Sequence, residues 1–504
     1  LPAQRQTISL LGWAGLLSLL LAVVYFDAFP YDILAYHGPF AAVATGLPRL
    51  SRYGMSSFME HRYQGFPPLW RWLLAPGLGL GLPRLLLLPN LLALLVLIGT
   101  CRRCLRLPWP PSLAAALLFP IALFGFRTPY QDFFVGALGS AAVLLLIEAL
   151  RQWAEAGRGA GSAWLALPLL TAAALTKYQG LFMAVLILGL ALPAALLIGR
   201  RQRSLAAWRN GPVPVLLLAL LLCSLHPLHN LISLHNPFFP MDVGPFAGPE
   251  LKSGNETPAY TAGLGPFTTV LNHWLSASEL DWIARGVVPS YNLDQARAQT
   301  QYGGLLDPRS LTADIRTGGS FGPAYLAAMA GYLLALGQAV RQARLGQGLS
   351  PQGWALLGVA PVLLLGAGLP HSHQLRYYLP LLLLPALTAL GWGWPRGPRR
   401  WIEALLLALL AVSLLLTFTQ PLHSTLKGLR RGEGLRYAVH YPSRDLPSAA
   451  TCLQLGLRRP NQPGSLGLPT GQAFACRLQL PASIRVEEVA LPPELPTAQG
   501  QSAR

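Results

Sequence analysis

Ile8-Ser-Leu-Leu-Gly-Trp-Ala-Gly-Leu-Leu-Ser-Leu-Leu-Leu-Ala-Val-Val-Tyr-Phe26 runs for 19 residues without a charged side chain. At a helical rise of about 1.5 Å per residue, such a run crosses a hydrocarbon core of about 30 Å. Blocks of the same kind recur along the chain at 83–100, 111–126, 133–150, 162–176, 180–199, 211–227, 320–340, 352–369, 375–393 and 401–419. The reading is an all-α integral membrane protein with about eleven transmembrane helices, the first at 7–26. Composition agrees: of 504 residues, 53% are hydrophobic and 12% charged, where a soluble domain carries about 25% charged residues. The first block reads as a retained helix and not as a signal peptide. It lacks a small-residue cleavage site, and Asp27, Pro30 and Tyr31 follow it directly.

The net charge of +18 would suggest nucleic acid in a soluble protein. Its distribution excludes that partner. Arginines cluster in alternate gaps between apolar blocks: Arg102, Arg103 and Arg106; Arg151 and Arg158; Arg200, Arg201, Arg203 and Arg209; Arg341 and Arg344; Arg396, Arg399 and Arg400. This is the positive-inside pattern, and the implied partner is anionic membrane lipid. It puts the N-terminus in the cytoplasm, the C-terminus outside, and the long loops 27–82 and 228–319 on the outer face. The chain divides into a transmembrane domain, 1–419, and a small extracytoplasmic region, 420–504, whose end from Leu491 is expected to be disordered.

Both long loops carry aromatic, interface-seeking stretches: Phe66-Pro-Pro-Leu-Trp-Arg-Trp-Leu73 in the first, and Phe267 to Val287, an expected interfacial helix, in the second. Asn255-Glu-Thr is one sequon, as chance supplies. Of five cysteines, Cys101 and Cys104 form a CxxC with no second ligand pair to complete a zinc site. Cys223 reads as a core residue. Cys452 and Cys476 lie in the outer region, where a disulfide between them is expected.

Ionisable groups at the edge of a bilayer are costly and ask for an explanation. Asp27 and Asp32 follow the first helix. Asp132 stands in Arg127-Thr-Pro-Tyr-Gln-Asp132, Lys177 in Leu175-Thr-Lys-Tyr-Gln-Gly180, and His371, His373 and Arg376 in His371-Ser-His-Gln-Leu-Arg-Tyr377. The topology brings them to one side from four separate loops, as a site would require. Charges at helix ends also serve as simple headgroup anchors, and Tyr36 and His37 fit packing roles as well as binding roles.

These residues resemble those of the GT-C superfamily, polytopic membrane glycosyltransferases that use polyprenyl-phosphate sugars. The likeness is to the bacterial aminoarabinose transferase and protein mannosyltransferase-like group. Tyr31-Asp32-Ile-Leu-Ala-Tyr36-His37 is similar to the D-x-x-x-Y-H pattern after the first helix of bacterial members. Tyr63-Gln-Gly-Phe-Pro67-Pro68-Leu69 is similar to their Y-x-K-P-P-L segment. Asp132 matches an acidic residue in the second outer loop, and Arg376-Tyr377 followed by Pro380 matches an R-Y-x-x-P helix start. Asn236-Pro-Phe-Phe-Pro240 and Gly318-Gly-Ser-Phe-Gly-Pro323 look like further segments of some members. The resemblance covers about residues 7–419.

It implies sugar transfer at the outer face of a bacterial inner membrane, to a glycan, lipid or protein acceptor. Asp32 takes the family position of a general base, with Asp132 as a second catalytic carboxylate. Arg376 would hold the lipid phosphate, and Tyr36, His37, Tyr63, Lys177, His373 and Tyr377 would bind substrate. The chain departs from the pattern where Phe66 replaces the Lys of K-P-P-L, a phosphate contact in relatives. That burden then falls on Arg376, with Lys177, Arg62 or a histidine as helpers. No cofactor is expected. A divalent metal at Asp32 and Asp132 is not favoured, because no D-x-D cluster is present. The competing readings are a transporter or flippase of lipid-linked saccharides, for which no internal repeat is visible, and a non-catalytic assembly protein, in which Asp32 and Arg376 would be replaceable.

Overall fold

The computed structural model describes residues 37–46, 57–80, 83–119, 122, 125–126, 129–200, 205–243, 245–249, 322–369 and 375–392, and in the C-terminal region 452–454, 457–458, 465–469, 476 and 483–489. The expected spans at 7–26 and 401–419 lie outside these residues. So do Asp27, Asp32, Tyr36, Asn255, the stretch 267–287, His371 and His373, as well as the side chain of Arg376.

Among the described residues, the first long loop holds three short helices: α1 (Gly38–Ala44), α2 (Ser57–Gly65) and α3 (Leu69–Gly79). A 3-10 turn, Pro83–Leu87, leads into α4 (Leu88–Thr100), which ends in a π turn, Cys101–Leu105. Then follow α5 (Trp109–Leu117), α6 (Gln131–Ala156), α7 (Ala160–Thr176), α8 (Tyr178–Gly199), α9 (Leu205–Asn210) and α10 (Val213–Leu234). Beyond the second long loop come α11 (Gly322–Arg344), α12 (Pro351–Gly366), a 3-10 turn at Leu375–Tyr378, and α13 (Pro380–Gly391).

Each expected span from 83–100 to 375–393 thus contains a described helix. Among the described residues, four stretches, Leu85–Leu105, Gln131–Ala156, Tyr178–Gly199 and Val213–Leu234, are long and apolar enough to cross a membrane, and α7, α12 and α13 are shorter apolar helices. The chain is a multi-pass membrane protein.

Two expectations need correction. The span at 211–227 ends at Pro227 in sequence, yet α10 continues to Leu234. A proline inside a membrane helix costs one hydrogen bond, which neighbouring polar groups and helices can offset. The extension makes His226 and Asn230 helical residues. The all-α class also needs one amendment, because the C-terminal region carries a small sheet: β1 (Leu457–Arg458), β2 (Ser465–Pro469) and β3 (Arg485–Val489). β2 pairs antiparallel to β1 and parallel to β3, with Leu466 opposite Val486. Both of those side chains are buried, as are Cys452 and Cys476, which form the expected disulfide.

Helix α6 is the hub. Of its apolar window 83% is buried, against 33% for α10, so α6 has protein on nearly every side while α10 shows one flank. It packs on α4, α7, α8, α12 and α13. On α10, Leu217, Leu221, Leu225, Leu228 and Ile232 are exposed at a spacing of three or four, a continuous apolar stripe suited to acyl chains.

Among the described residues, the arginine-bearing gaps gather at one end of the bundle. Arg103 Nη2 donates to Ser162 Oγ (3.4 Å), Gln352 Nε2 to the Leu105 carbonyl (3.2 Å), and the Gly159 amide to the Asn210 carbonyl (3.2 Å). Arg151 grips Glu148 through Nε (2.8 Å) and Nη2 (2.7 Å), and Gln152 Nε2 reaches the same carboxylate at 2.7 Å. Helix α6 has 26 residues and is about 39 Å long. Its other end, at Asp132, meets α3 and the segments around Lys177 and Tyr377.

A buried asparagine fixes the approach to that end. Asn90 on α4 is fully buried, and its Nδ2 donates to the carbonyls of Gly125 (2.9 Å) and Tyr130 (3.1 Å), just before α6 begins. Asn90→Leu strands these acceptors away from water. It should cost about 1–3 kcal/mol, read as a lower unfolding midpoint in detergent, while Leu91→Ala on the same turn should cost less per atom removed because its side chain is only half-buried.

Candidate functional site

The wall of the site is built from the first long loop. His37 stands at the N-cap of α1, followed by Pro39 in the first turn, where a fixed φ suits the helix start. Helix α1 packs on α3, and Phe40 meets Tyr63 edge to face at 5.5 Å. Phe66-Pro67-Pro68 turns the chain into α3. Trp70 is 1% exposed and packs on Phe134 of α6 at 5.5 Å. Arg71 folds back: its Nη1 donates to the Tyr63 carbonyl (2.6 Å) and its guanidinium lies 4.3 Å from the Tyr63 ring centroid. His37, Phe40, Tyr63, Phe66, Pro67, Trp70 and Arg71, with Gln131 and Thr176, line a small open recess of about 20 Å³.

An ion pair borders the recess. Asp132 lies in the first turn of α6, where the helix dipole favours a carboxylate. Lys177 is the one extended residue between α7 and α8, with φ −157° and ψ 148°. Gly180 allows this joint, since a Cβ there would sit 2.1 Å from the Ala173 carbonyl oxygen. The Lys177 ammonium pairs with Asp132 Oδ1 and lies 4.0 Å from the centroid of the Tyr377 ring, a cation–π distance. Side-chain exposures of 16% for Lys177 and 8% for Asp132 leave little water to screen the pair.

His37 is 5% exposed. Burial, and then the positive charges of Lys177 and Arg62, hold its imidazole well below the ordinary value of 6.5. The ring is therefore neutral at physiological pH, in a field set by cations.

Behind the wall, three side chains converge on one backbone carbonyl. Tyr178 Oη (2.7 Å), His226 Nε2 (2.8 Å) and Asn230 Nδ2 (2.9 Å) all reach the Gly65 oxygen, so His226 carries its proton on Nε2. The Tyr178 hydroxyl is also 2.7 Å from the Phe239 carbonyl and accepts from Asn230 Nδ2 at 2.9 Å. A Cβ on residue 65 would lie 2.3 Å from the Phe239 oxygen, so only glycine fits. This clamp joins Tyr63–Pro68 to Asn236–Pro240, two segments quoted separately from the sequence.

Of the residues singled out by sequence, His37, Tyr63, Asp132, Lys177 and Tyr377 meet at this end of the bundle. Arg376 stands in the 3-10 turn beside Tyr377. Asp32, Tyr36 and His373 lie outside the described residues. Sequence reasoning missed Tyr178, His226 and Asn230. The available signal was a cluster of polar residues, His226, His229 and Asn230, in a largely apolar helix.

Two measurements follow from these electrostatics. Asp132→Asn or Lys177→Met alone leaves a charge without its partner and should cost about 3–5 kcal/mol. The double variant should recover part of that loss in a double-mutant cycle. For His37 the unfolded chain takes up a proton below about pH 6.5 and the folded chain does not. Stability should therefore fall as pH drops from 6.5 toward the depressed folded value, by up to about 1.4 kcal/mol per pH unit. His37→Gln should lack that component in pH-dependent unfolding.

No family model and no curated protein matches the chain. Two solved structures are similar to it. One is the crystal structure of ArnT from Cupriavidus metallidurans bound to undecaprenyl phosphate, at 17% identity over 95% of this chain and 86% of that one, with a TM-score of 0.35. The other is the same protein in the apo state, at 16% identity over 96% and 86%, with a TM-score of 0.33.

Proposed function

We propose that the chain transfers a sugar from a polyprenyl-phosphate donor to a lipid, glycan or protein acceptor at the outer face of a bacterial inner membrane. The observation that carries this reading is the meeting of the motif residues His37, Tyr63, Asp132, Lys177 and Tyr377, from separate segments, at the end of the bundle opposite the arginine-rich gaps. By the positive-inside rule the arginine-rich end is cytoplasmic. The full architecture in this reading has about eleven spans.

The chemistry is one displacement with inversion. Asp32 accepts the proton of the acceptor hydroxyl or amine, whose lone pair attacks the anomeric carbon. The bond from that carbon to the phosphate oxygen breaks, and its electrons leave with the polyprenyl phosphate. Arg376 offers that anion a fork of donors. Asp132 is engaged by Lys177, which suits it to orient the acceptor more than to take the proton. Tyr36, His37, Tyr63, His373 and Tyr377 shape the surrounding wall. These side chains supply the whole of the proposed chemistry.

The test is turnover and bound lipid measured together. Mass spectrometry of the purified protein should find a polyprenyl phosphate. Asp32→Asn should cut sugar transfer by about 10²–10⁴-fold with that lipid still bound, whereas Arg376→Ala should lose lipid and rate together. Bound lipid with no transfer by the wild type, in the presence of donor sugars and acceptors, would favour a lipid-linked saccharide transporter. A folded Asp32→Asn variant at full rate would remove Asp32 as the base.

A further inference from the structure

The exposed face of α4 joins an apolar strip to a cluster of unmatched positive charge. Leu88, Leu92 and Leu95 are exposed, and a Cβ on Gly99 would meet nothing within 4 Å. Their spacing of four, three and four residues puts them on one side of the helix. From Leu88 to Gly99 the strip runs about 16 Å, the depth of one leaflet in a hydrocarbon core of about 30 Å. Arg102 and Arg103 continue the same spacing into the π turn, and Arg106 closes that turn with φ 53°. All three are exposed, and none is ion-paired among the described residues. Glu148 and Glu155, carboxylates at this end of the bundle, are both taken by Arg151. Arg103 Nη2 reaches the buried Ser162 Oγ at 3.4 Å, which occupies one N–H of its guanidinium fork.

A strip one leaflet deep that ends in unpaired cations matches a molecule with an acyl chain and a negative headgroup. We propose that this face of α4 binds one anionic phospholipid from the leaflet at the arginine-rich end. The phosphate lies among Arg102, Arg103 and Arg106, which offer it charge-assisted hydrogen bonds. One acyl chain lies along Leu88, Leu92, Leu95 and Gly99. A zwitterionic lipid fits less well, because its ammonium group finds no free carboxylate at the turn. General attraction of scattered arginines to a charged surface needs no particular residue, whereas this site does. Helix α11 shows the difference. Its exposed Leu333 and Leu334 also lead toward exposed arginines, Arg341 and Arg344. Gln338 stands between them, accepting from Trp392 Nε1 at 2.7 Å, and breaks the apolar strip. The lipid site is independent of the proposed sugar transfer.

Native mass spectrometry of the full chain, released from detergent after lipid is added, tests this. The probes are phosphatidylglycerol, phosphatidylcholine, and glycerol phosphate as a headgroup anion without chains. One phosphatidylglycerol per chain should be retained about tenfold or more tighter than phosphatidylcholine. Glycerol phosphate should not be retained. Arg102→Gln with Arg106→Gln should weaken the lipid about thirtyfold, at about fivefold for each arginine. Arg341→Gln with Arg344→Gln removes the same charge from the same end of the bundle. It should change binding by less than about twofold, because charges beyond a Debye length are screened. Equal losses in the two double variants would overturn the site in favour of a general surface field. Equal retention of phosphatidylcholine would also overturn it. So would glycerol phosphate held as tightly as the lipid, which would assign the cations to a free anion. The single variants Arg102→Gln and Arg106→Gln each keep the other two arginines, and they decide the matter if the double variant does not insert.

Discussion

The joint between α7 and α8 has a single residue out of helical conformation, and the end of the bundle opposite the arginine-rich gaps is organised around it. Because Gly180 lets the two helices close against the Ala173 carbonyl, Lys177 and Tyr178 leave the joint at a fixed place. Lys177 ties α6 and the Tyr377 turn together through one ion pair and one ring contact. Tyr178 ties the first long loop to the Asn236–Pro240 segment through two carbonyls. A longer, looser turn would give neither side chain a defined reach. In a medium where unsatisfied polar groups cost several kcal/mol, a defined reach is what lets charged and polar groups sit at this depth.

The two ends of the bundle use polar residues differently. At the arginine-rich end, the Glu148–Arg151 pair and its neighbours are helix-surface contacts at spacings of three and four, backed by long-range links that tie the gaps together. At the opposite end, partners come from distant parts of the chain: Asp132 with Lys177, and Gly65 with Tyr178, His226 and Asn230. The first arrangement holds helices where water and headgroups begin. The second holds loops in place over a recess.

The spans were legible in the sequence because an apolar run of about 20 residues has few readings. Their ends were less so. Pro227 looks like a stop, but α10 runs a further seven residues, from 228 to 234, because its polar side chains find partners in the clamp. The strands of the C-terminal sheet have two to five residues, too short for a periodic signal, and Ser465-Leu-Gly-Leu-Pro469 mixes strand formers with breakers. At the site, Asp132, Lys177 and His37 stood out as charge or motif residues, yet their mutual pairing depends on helix packing that no local pattern encodes. Arg71 and Trp70 were hidden in a stretch that reads as a membrane-interface anchor. Their contacts with Tyr63 and Phe134 depend on the folded-back path of the loop, which no local pattern encodes.

The absence of a side chain at residue 65 also bears on how this protein can vary. The Gly65 α-carbon faces the carbonyl of Phe239 with no room for a methyl group, although 174 positions separate them in the chain. The two segments therefore behave as one hereditary unit. A drift in the path of 236–240 is tolerated only where it preserves that contact, and a larger residue at 65 demands a rebuilt loop. Chimeras that exchange the second long loop between distant homologues must carry Tyr63–Pro68 with it, or they transplant a wall without its foundation.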